Sequence, residues 1–286
     1  MRGKYVLIEK DTLIKSYEDN GRSMRATAKA LGTSEKSIMR RMKEYGIEWD
    51  KKVFYPCNEN FFDELNEKSL YWLGFLATDG WVVKHNYTYE ISLKLANKYL
   101  DHIELFKNHL ESLAPIHAKI EKRKSKGSDA FKKDEYFSHQ ITISSEKIFH
   151  LLSEFNIVPR KTHIYRFPAQ LKNHPDVRHF IRGCLDGDGW WRTHKNNGKD
   201  YVTEIRVGMC GTPVFIKEMF DIIKEKCNIT SGSYYVRKSG KTADFEFCAK
   251  KDVNKIVDYL YKNATIFLDR KKEIAMQAKQ FKEPLK

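Results

Sequence analysis

Two aspartates, Asp79 and Asp188, end two stretches of similar sequence, YWLGFLATDG at residues 71–80 and FIRGCLDGDG at residues 180–189. Each stretch is an apolar run with an internal glycine, and each ends in Asp-Gly before a tryptophan. We interpret each as a helix that ends at its aspartate. Two carboxylates at adjoining helix C-termini are costly unless cations lie between them, and oxygen ligands of this kind suit Mg²⁺.

Small residues at helical spacing predict how the two acids meet. Gly74 and Thr78 lie four positions apart, as do Gly183 and Gly187, so each pair shares one helical face. Small side chains on both faces allow two helices to pack side by side at short distance. The C-terminal ends of the two helices, and therefore the two aspartates, are then expected to face one another.

The elements that must position the acids also occur twice. Each motif is followed by an alternating strand pattern, an amphipathic helix, two further strands and a closing helix. Lys161 then follows Asp79 at almost the same separation as Lys271 follows Asp188. We predict two copies of one α/β unit, at residues 58–170 and 171–286. The strand patterns are residues 89–95, 116–124 and 138–144 in the first copy and 203–209, 233–238 and 243–249 in the second.

The motifs GFLATDG and GCLDGDG, each opening a copy of this content, resemble the paired motif of the LAGLIDADG homing endonucleases. The resemblance covers about residues 58–280. It implies an α+β fold of two pseudo-symmetric repeats, whose antiparallel sheets form a saddle over a long double-stranded DNA target. Because the two halves differ in sequence, the target need not be a palindrome. A monomer is the expected state.

The resemblance also implies roles for the repeated residues. Asp79 and Asp188 would hold divalent metal, Mg²⁺ or another such as Mn²⁺, with the backbone carbonyls of Thr78 and Gly187 as further ligands. Each centre would cut one DNA strand across the minor groove by metal-assisted hydrolysis. Lys161 and Lys271 match the basic residue near each centre, where it would polarise water or offset developing charge.

The first motif departs from the pattern of the family. Ala77 stands where the second copy has Asp186, and Thr78 stands where it has Gly187. The metal-binding acid is kept in both copies. We therefore expect two competent centres with asymmetric helix packing.

The strands are predicted to present a polar face to DNA. Ile116, Ala118 and Ile120 should point inward from one strand, and Ile141 and Ile143 from another. The opposite faces carry groups that can bond phosphates and base edges. The candidate DNA contacts of the repeats are Ser92, Lys94, His117, Lys119, Arg123, Ser138, Gln140, Thr142, Arg192, Arg206 and Arg237.

Residues 1–50 are predicted to form a small all-α helix-turn-helix domain that binds DNA, and residues 51–57 a linker. Gly32 separates the second and third helices, and Thr33 or Ser34 can cap the third. The third helix has an apolar face with a basic stripe opposite it. The candidate DNA contacts of this helix are Lys36, Ser37, Arg40, Arg41 and Lys43.

Composition is consistent with a nucleic-acid partner. The 286 residues carry a formal net charge of +14, which favours a polyanion. The five cysteines form no zinc-like spacing, and no stretch has the apolar length of a membrane span or of a secretory signal. We expect a protein that is not secreted, located in the cytoplasm or in an organellar or phage-host interior.

Three functions are consistent with these observations. The first is a sequence-specific DNA endonuclease with an additional DNA-binding module. The second is a DNA-binding transcriptional regulator that lacks catalysis on the same fold, and the third is an RNA maturase. Retention of both Asp79 and Asp188 favours the endonuclease over the regulator, whereas basic charge does not separate RNA from DNA.

Overall fold

The computed structural model describes residues 8–20, 23–48, 55–85, 88–122, 135–195 and 204–279. The chain divides into two compact units, Met1–Phe54 and Tyr55–Lys286. The second unit therefore begins at Tyr55 rather than at residue 58, because the Pro56 carbonyl and the Asn58 amide already bond to the segment around Leu110. Residues 51–54 of the predicted linker lie outside the described residues.

The first unit contains three helices, α1 Lys10–Asp19, α2 Met24–Ala30 and α3 Glu35–Glu44. The Ser23 hydroxyl caps α2, and the Ser34 hydroxyl accepts the Ser37 amide at the start of α3. These contacts satisfy amides that have no partner within the helix. A small apolar core joins the helices and consists of Ile8, Leu13, Tyr17, Ala28, Ile38 and Met42.

The second unit contains two repeats with the same order of elements. Each begins with a long buried helix, continues into a four-stranded antiparallel sheet and places helices on one face of it. The first repeat consists of α4 Glu67–Thr78, β1 Gly80–His85, β2 Thr88–Ala96, α5 Leu100–His109, β3 Ile116–Lys122, β4 Glu135–Ser144 and α6 Glu146–Glu154.

The second repeat has matching elements and a further helix after its closing one. It consists of α7 Val177–Gly187, β5 Trp190–His194, β6 Glu204–Gly211, α8 Pro213–Cys227, β7 Ser233–Val236, β8 Ala243–Phe247, α9 Lys250–Tyr261 and α10 Asp269–Gln277. The strand orders are β1-β2-β4-β3 and β5-β6-β8-β7, which are equivalent. The predicted fold class is confirmed in these two sheets and in the helical first unit.

The sequence patterns missed β1 and β5, the strands that start directly after each motif. Both are short, and both run through tryptophan into polar residues, so neither shows a sustained alternation. They pair with β2 and β6 as edge strands. As a result, each motif aspartate lies at the junction between a helix and a sheet edge.

The motif helices α4 and α7 pack against each other through glycine, as predicted. A Cβ atom on Gly74 would lie 2.1 Å from the Phe180 carbonyl oxygen, and one on Gly183 would lie 2.0 Å from the Tyr71 carbonyl oxygen. These distances are far below van der Waals contact. The two backbones therefore touch reciprocally, and no larger residue fits at either position.

A buried ion pair joins the two repeats beside these helices. Arg182, fully buried on α7, donates from Nη2 to Glu67 Oε1 at 2.7 Å. Glu67, at the first position of α4, also accepts the Thr265 amide at 2.8 Å. One carboxylate of the first repeat thus binds a side chain and a loop of the second.

The inner faces of both sheets share one apolar core with the helices. Ile141 and Ile143 are buried, as predicted. Ala118 and Ile120 lie on the same face of β3 as Ile116, which pairs with Ile141, but both are exposed, Ile120 by 60%. They lie on β3, an edge strand that pairs on one side with β4.

In the part of the chain that the structure describes, no helix combines the length and apolar character needed to span a bilayer. All five cysteines are free thiols.

Candidate active site and nucleic-acid-facing surface

Asp79 and Asp188 lie at the C-terminal ends of α4 and α7, where each amide closes the last helical turn. The two ends adjoin, because a Cβ atom on Gly187 would lie 2.0 Å from Thr78 Oγ1 and 2.8 Å from Asp79 Oδ2. Gly187 is therefore the small residue that admits the first motif's threonine and aspartate. The sequence analysis correctly predicted that Thr78, Asp79, Gly187 and Asp188 lie close together.

Burial and neighbouring charges shift the pKa values of the two carboxyl groups. Burial, and then the charge of Asp188, raise the pKa of Asp79 to about 7, although Lys271 and Lys161 act in the opposite direction. Partial loss of water also raises the pKa of Asp188, and the same two lysines lower it. Burial is the first cause of both shifts, and only the pKa of Asp79 is also raised by the charge of the neighbouring acid.

Lys271 is buried and bonded to the end of α7. Its three N–H donors are shared among four backbone carbonyls within hydrogen-bond distance of Nζ, those of Leu185 at 2.7 Å, Asp186 at 2.6 Å, Gly187 at 2.8 Å and Gly189 at 2.7 Å. Desolvation lowers the pKa of Lys271 to about 8, against the attraction of Asp186 and Asp79. The ammonium group thus satisfies carbonyls that the helix itself leaves open.

Lys161 occupies the matching place in the first repeat and is also buried. Its Nζ atom donates to the Gly80 carbonyl, directly after the first motif. Burial lowers the pKa of Lys161, and the charges of Asp188 and Asp79 raise it. The structure therefore brings both predicted lysines to the acids, with different numbers of backbone partners.

The donor set at the helix ends fits a divalent cation that also binds substrate. The charge of Asp188 contributes to the raised pKa of Asp79, so a cation between the two carboxylates would relieve that repulsion. Among the described residues, no cluster of three or more His, Cys, Asp or Glu side chains could form an all-protein metal site. Mg²⁺ commonly takes one or two carboxylates together with water and phosphate oxygens. Of the two predicted carbonyl ligands, that of Gly187 is bonded to Lys271.

A cavity of about 200 Å³ opens beside Asp79. Lys94 of the first sheet and Arg270 and Lys271 of the second repeat line it together with the carboxylate. Cations on the wall of an acid-containing cavity can hold a phosphate that the acids alone would repel. Arg270 was not predicted as a site residue, although it precedes Lys271 in an Arg-Lys pair that the first repeat also has as Arg160 and Lys161.

On the first sheet, the predicted contacts separate into exposed and covered groups. His117 and Lys119 are exposed, and Gln140 and Thr142 are partly so. Ser92 and Ser138, by contrast, are buried, with 2% and 1% exposure, so their predicted contact with DNA is not supported. Ser92 Oγ is bonded to Thr142 Oγ1 on the neighbouring strand at 2.8 Å. Arg123 lies outside the described residues.

Lys94 on the same sheet forms an ion pair with Glu121 at 2.6 Å. It remains partly exposed and lines the cavity beside Asp79. A phosphate that enters this cavity can therefore replace Glu121 as the partner of the Lys94 ammonium group.

The arginines of the second sheet are held by carboxylates. Arg206 contacts Glu204 at 2.6 Å and Glu246 at 3.2 Å, and Arg237 forms a two-pronged pair with Asp244 at 2.8 and 2.9 Å. Such pairing raises the pKa of Arg206 and of Arg237. The guanidinium groups are thereby oriented before any partner binds.

Sequence reasoning missed the tryptophan that follows each motif. Trp190 lies on the outer sheet face, where Arg192 stacks over its ring at 4.9 Å and its Nε1 atom donates to Glu246 at 3.3 Å. Trp81 takes the matching position on β1, paired with Ser92. The signal was present, since both motifs read Asp-Gly-Trp.

In the first unit, α3 carries the predicted basic stripe on its surface. Lys36, Arg40 and Lys43 are exposed, and Ser37 is partly buried beside the capping Ser34. Arg41 is different: only 5% of it is exposed, and it lies next to Met42 on the apolar side of α3. The structure does not support Arg41 as a DNA contact.

Comparison with known proteins agrees with this geometry at the level of fold. Residues 4–48 match the family described as "Helix-turn-helix domain". No curated protein matches the chain.

Among solved structures, the homing endonuclease I-WcaI bound to its DNA recognition sequence is similar, with 11% identity and a TM-score of 0.53 over 83% of this chain and 92% of that one. The meganuclease I-SmaMI bound to uncleaveable DNA has 12% identity and a TM-score of 0.49 over 75% and 90% of the two chains. The LAGLIDADG homing endonuclease I-GzeII in complex with its DNA target has 13% identity and a TM-score of 0.47 over 76% and 91%. The likeness to I-WcaI shows that the two repeats have the homing-endonuclease fold, as the paired motifs predicted.

Proposed function

We propose that this chain, which has the fold of the LAGLIDADG homing endonucleases, is a sequence-specific endonuclease that cuts both strands of a long DNA target. The observation that carries the proposal is the pair Asp79 and Asp188. Both acids are retained, both stand at adjoining helix ends, and both have raised pKa values beside two buried lysines. A fold used only for binding DNA has no need to bear the cost of two adjacent anions.

The residues of this chain divide the work as follows. Asp79 and Asp188 would hold Mg²⁺ or Mn²⁺, which when bound supplies an activated water and neutralises the scissile phosphate. Arg270 and Lys94 receive the phosphate at the cavity wall. Lys161, close enough to both acids for their charges to raise its pKa, offsets the negative charge that develops at the phosphate.

DNA recognition falls to the outer faces of the two sheets. The first sheet offers His117, Lys119, Gln140 and Thr142, and the second offers Arg192, Arg206 and Arg237. Because the two faces differ in chemistry, the two half-sites of the target differ in sequence. The helix-turn-helix unit adds a separate contact with DNA through Lys36, Arg40 and Lys43.

The experiment that tests this function is cleavage of a randomised plasmid library by the purified full chain, with Mg²⁺ and with EDTA. Wild-type protein is expected to make double-strand breaks at one long site with Mg²⁺ and none with EDTA. Asp188→Asn is expected to nick or to leave the plasmid intact. The loss should exceed about 100-fold, since outer-shell changes at metal sites already cost about 10–100-fold.

Asp258→Asn is the matched control, because Asp258 is an exposed acid on α9, away from the motif ends, and its only described ion pair is with Lys279. It should cut like wild type. Sequence-specific binding without any cleavage would reject the endonuclease and leave the non-catalytic regulator. Preference for structured RNA over duplex DNA in competition would instead favour the maturase.

A further inference from the structure

The second motif carries a buried acid that the metal-binding role does not use. Asp186 is 1% exposed, and a single oxygen, Oδ2, accepts both the Leu268 amide at 2.7 Å and the Tyr71 hydroxyl at 2.9 Å. The other oxygen, Oδ1, is buried and has no hydrogen-bond partner among the described residues. One oxygen of Asp186 therefore makes all the described hydrogen bonds of this carboxylate.

Those contacts lead directly to the lysine of the second centre. Leu268 is the N-cap residue of α10, and Lys271 lies in the first turn of that helix. From there its ammonium group reaches the four carbonyls at the end of α7. Asp186 and Lys271 thus fix the same turn from its two ends, one through a backbone amide and the other through the helix terminus.

The described residues of the first repeat show no such connection. Ala77 stands at the position of Asp186, and Val158, which precedes Lys161 as Leu268 precedes Lys271, donates its amide to the nearby Asn156 carbonyl instead. Arg160, just before Lys161, has a left-handed backbone with φ of 60°. The turn that carries Lys161 is held by its own local bonds and not by a side chain of the motif helix.

We propose that Asp186 is a positioning residue of the second centre alone, which holds the α10 turn and Lys271 against the end of α7 through the Leu268 amide. Hydrolysis of one DNA strand then depends on Asp186, and hydrolysis of the other does not. This proposal rests on the proposed endonuclease function. It makes the two centres unequal in what supports them, although both keep their metal-binding acid.

The geometry supplies a matched set of variants. Asp186→Asn keeps an oxygen that can accept from both Leu268 and Tyr71, removes the negative charge and places an NH2 group where Oδ1 has no described partner. Asp186→Ala places in the second motif the residue that the first motif has. Asp186→Leu lacks the acceptor but keeps the branching at Cγ and leaves no cavity, so it separates the lost hydrogen bond from a cavity.

The activity test follows each strand separately on a duplex that the wild-type protein has selected, labelled at both 5′ ends, in single-turnover reactions. With Asp186→Ala and Asp186→Leu, one strand should be cut about 10–100-fold more slowly, so that nicked DNA of one polarity accumulates. Asp186→Asn should restore the rate to within a few-fold of wild type. Equal slowing of both strands, or no slowing, would overturn the proposal.

A second readout needs neither metal nor DNA. Hydrogen–deuterium exchange in the free protein should show the Leu268 amide protected in wild type and in Asp186→Asn, and at least about tenfold less protected in the other two variants. Unchanged protection in Asp186→Ala and Asp186→Leu would overturn the proposal even if cleavage changes. If wild type cuts no DNA, the proposed function fails, and the exchange result still decides whether Asp186 holds the turn.

Discussion

In the first repeat, Lys161 donates to the carbonyl of Gly80, whereas in the second repeat Lys271 shares its donors among four carbonyls at the end of α7. The sheets around them have the same strand order. The comparison shows that a duplicated fold can keep a lysine at the same position while the contacts of its amine, and therefore its role, differ. Lys271 closes a helix terminus with all its donors, and Lys161 keeps capacity to act on a phosphate.

The largest test of this difference is stability. Lys271→Met leaves several buried carbonyls without a donor and should lower the free energy of unfolding by about 3–5 kcal/mol. Lys161→Met loses the contact with Gly80 and should cost about 1–2 kcal/mol, with its main effect on cleavage. Urea unfolding followed by circular dichroism measures both.

Lys251→Met, at an exposed position of α9, is the control and should change stability by less than about 0.5 kcal/mol. Equal destabilisation by Lys161→Met and Lys271→Met would contradict the difference between the two lysines. A larger loss of cleavage in the Lys161 variant than in the Lys271 variant, measured where both proteins are folded, would sharpen it.

The second test uses the polar chain that links the repeats. Asp186 of the second repeat accepts from Tyr71, whose oxygen lies 3.0 Å from His102 Nε2 on α5 of the first repeat. Burial, with a contribution from His109, lowers the pKa of His102 from 6.5 to about 4. The unfolded chain therefore takes up a proton between pH 6.5 and 4 that the folded chain does not.

Stability should consequently fall as the pH is lowered through this window. The His102 contribution is about 1.4 kcal/mol per pH unit, and it is fully present above pH 6.5. His102→Phe, which fits among Trp72 and Phe75, should remove that part of the slope. His179, whose pKa is also lowered to about 4, should keep its own part. Chemical unfolding at several pH values provides the slopes, and an identical slope in the variant would contradict the assignment.

The smallest effect on the fold, and a specific one on recognition, is expected at Arg237. Its pair with Asp244 is exposed, so Arg237→Ala should leave the unfolding transition unchanged. Binding selections from randomised duplexes should instead lose preference at one position of the second half-site. Gln140→Ala should do the same in the first half-site, and a shift of both half-sites by either variant would count against separate reading by the two sheets.

Much of this architecture could be predicted because it is written in repeated, local signals. The apolar helices, the alternating strands and the small residues at Gly74 and Gly183 each report on one element or one contact. The strand after each motif escaped prediction because it is short and edge-paired. Burial of Ser92, Ser138 and Arg41 also escaped, since it depends on neighbours from other strands and helices that local alternation does not describe.

The candidate site was predictable to the same degree. Two aspartates and two lysines at matching separations could be identified from the sequence, and the structure places them together. The unequal support of the two centres could not be predicted, because it depends on an amide at Leu268 and a hydroxyl at Tyr71, both distant in sequence from Asp186. The presence of Ala77 in the first motif was the one residue-level sign of it.

The bond network of Glu67 has a consequence for protein recombination. A chimera that takes its first repeat from another protein would exchange Glu67 but keep Arg182 and the loop at Thr265, both of which donate to Glu67 across the junction. A buried guanidinium would then lose its carboxylate, so the two residues must be transplanted as a unit. Which halves can be joined in one chain therefore depends on whether together they supply this Glu67–Arg182 pair.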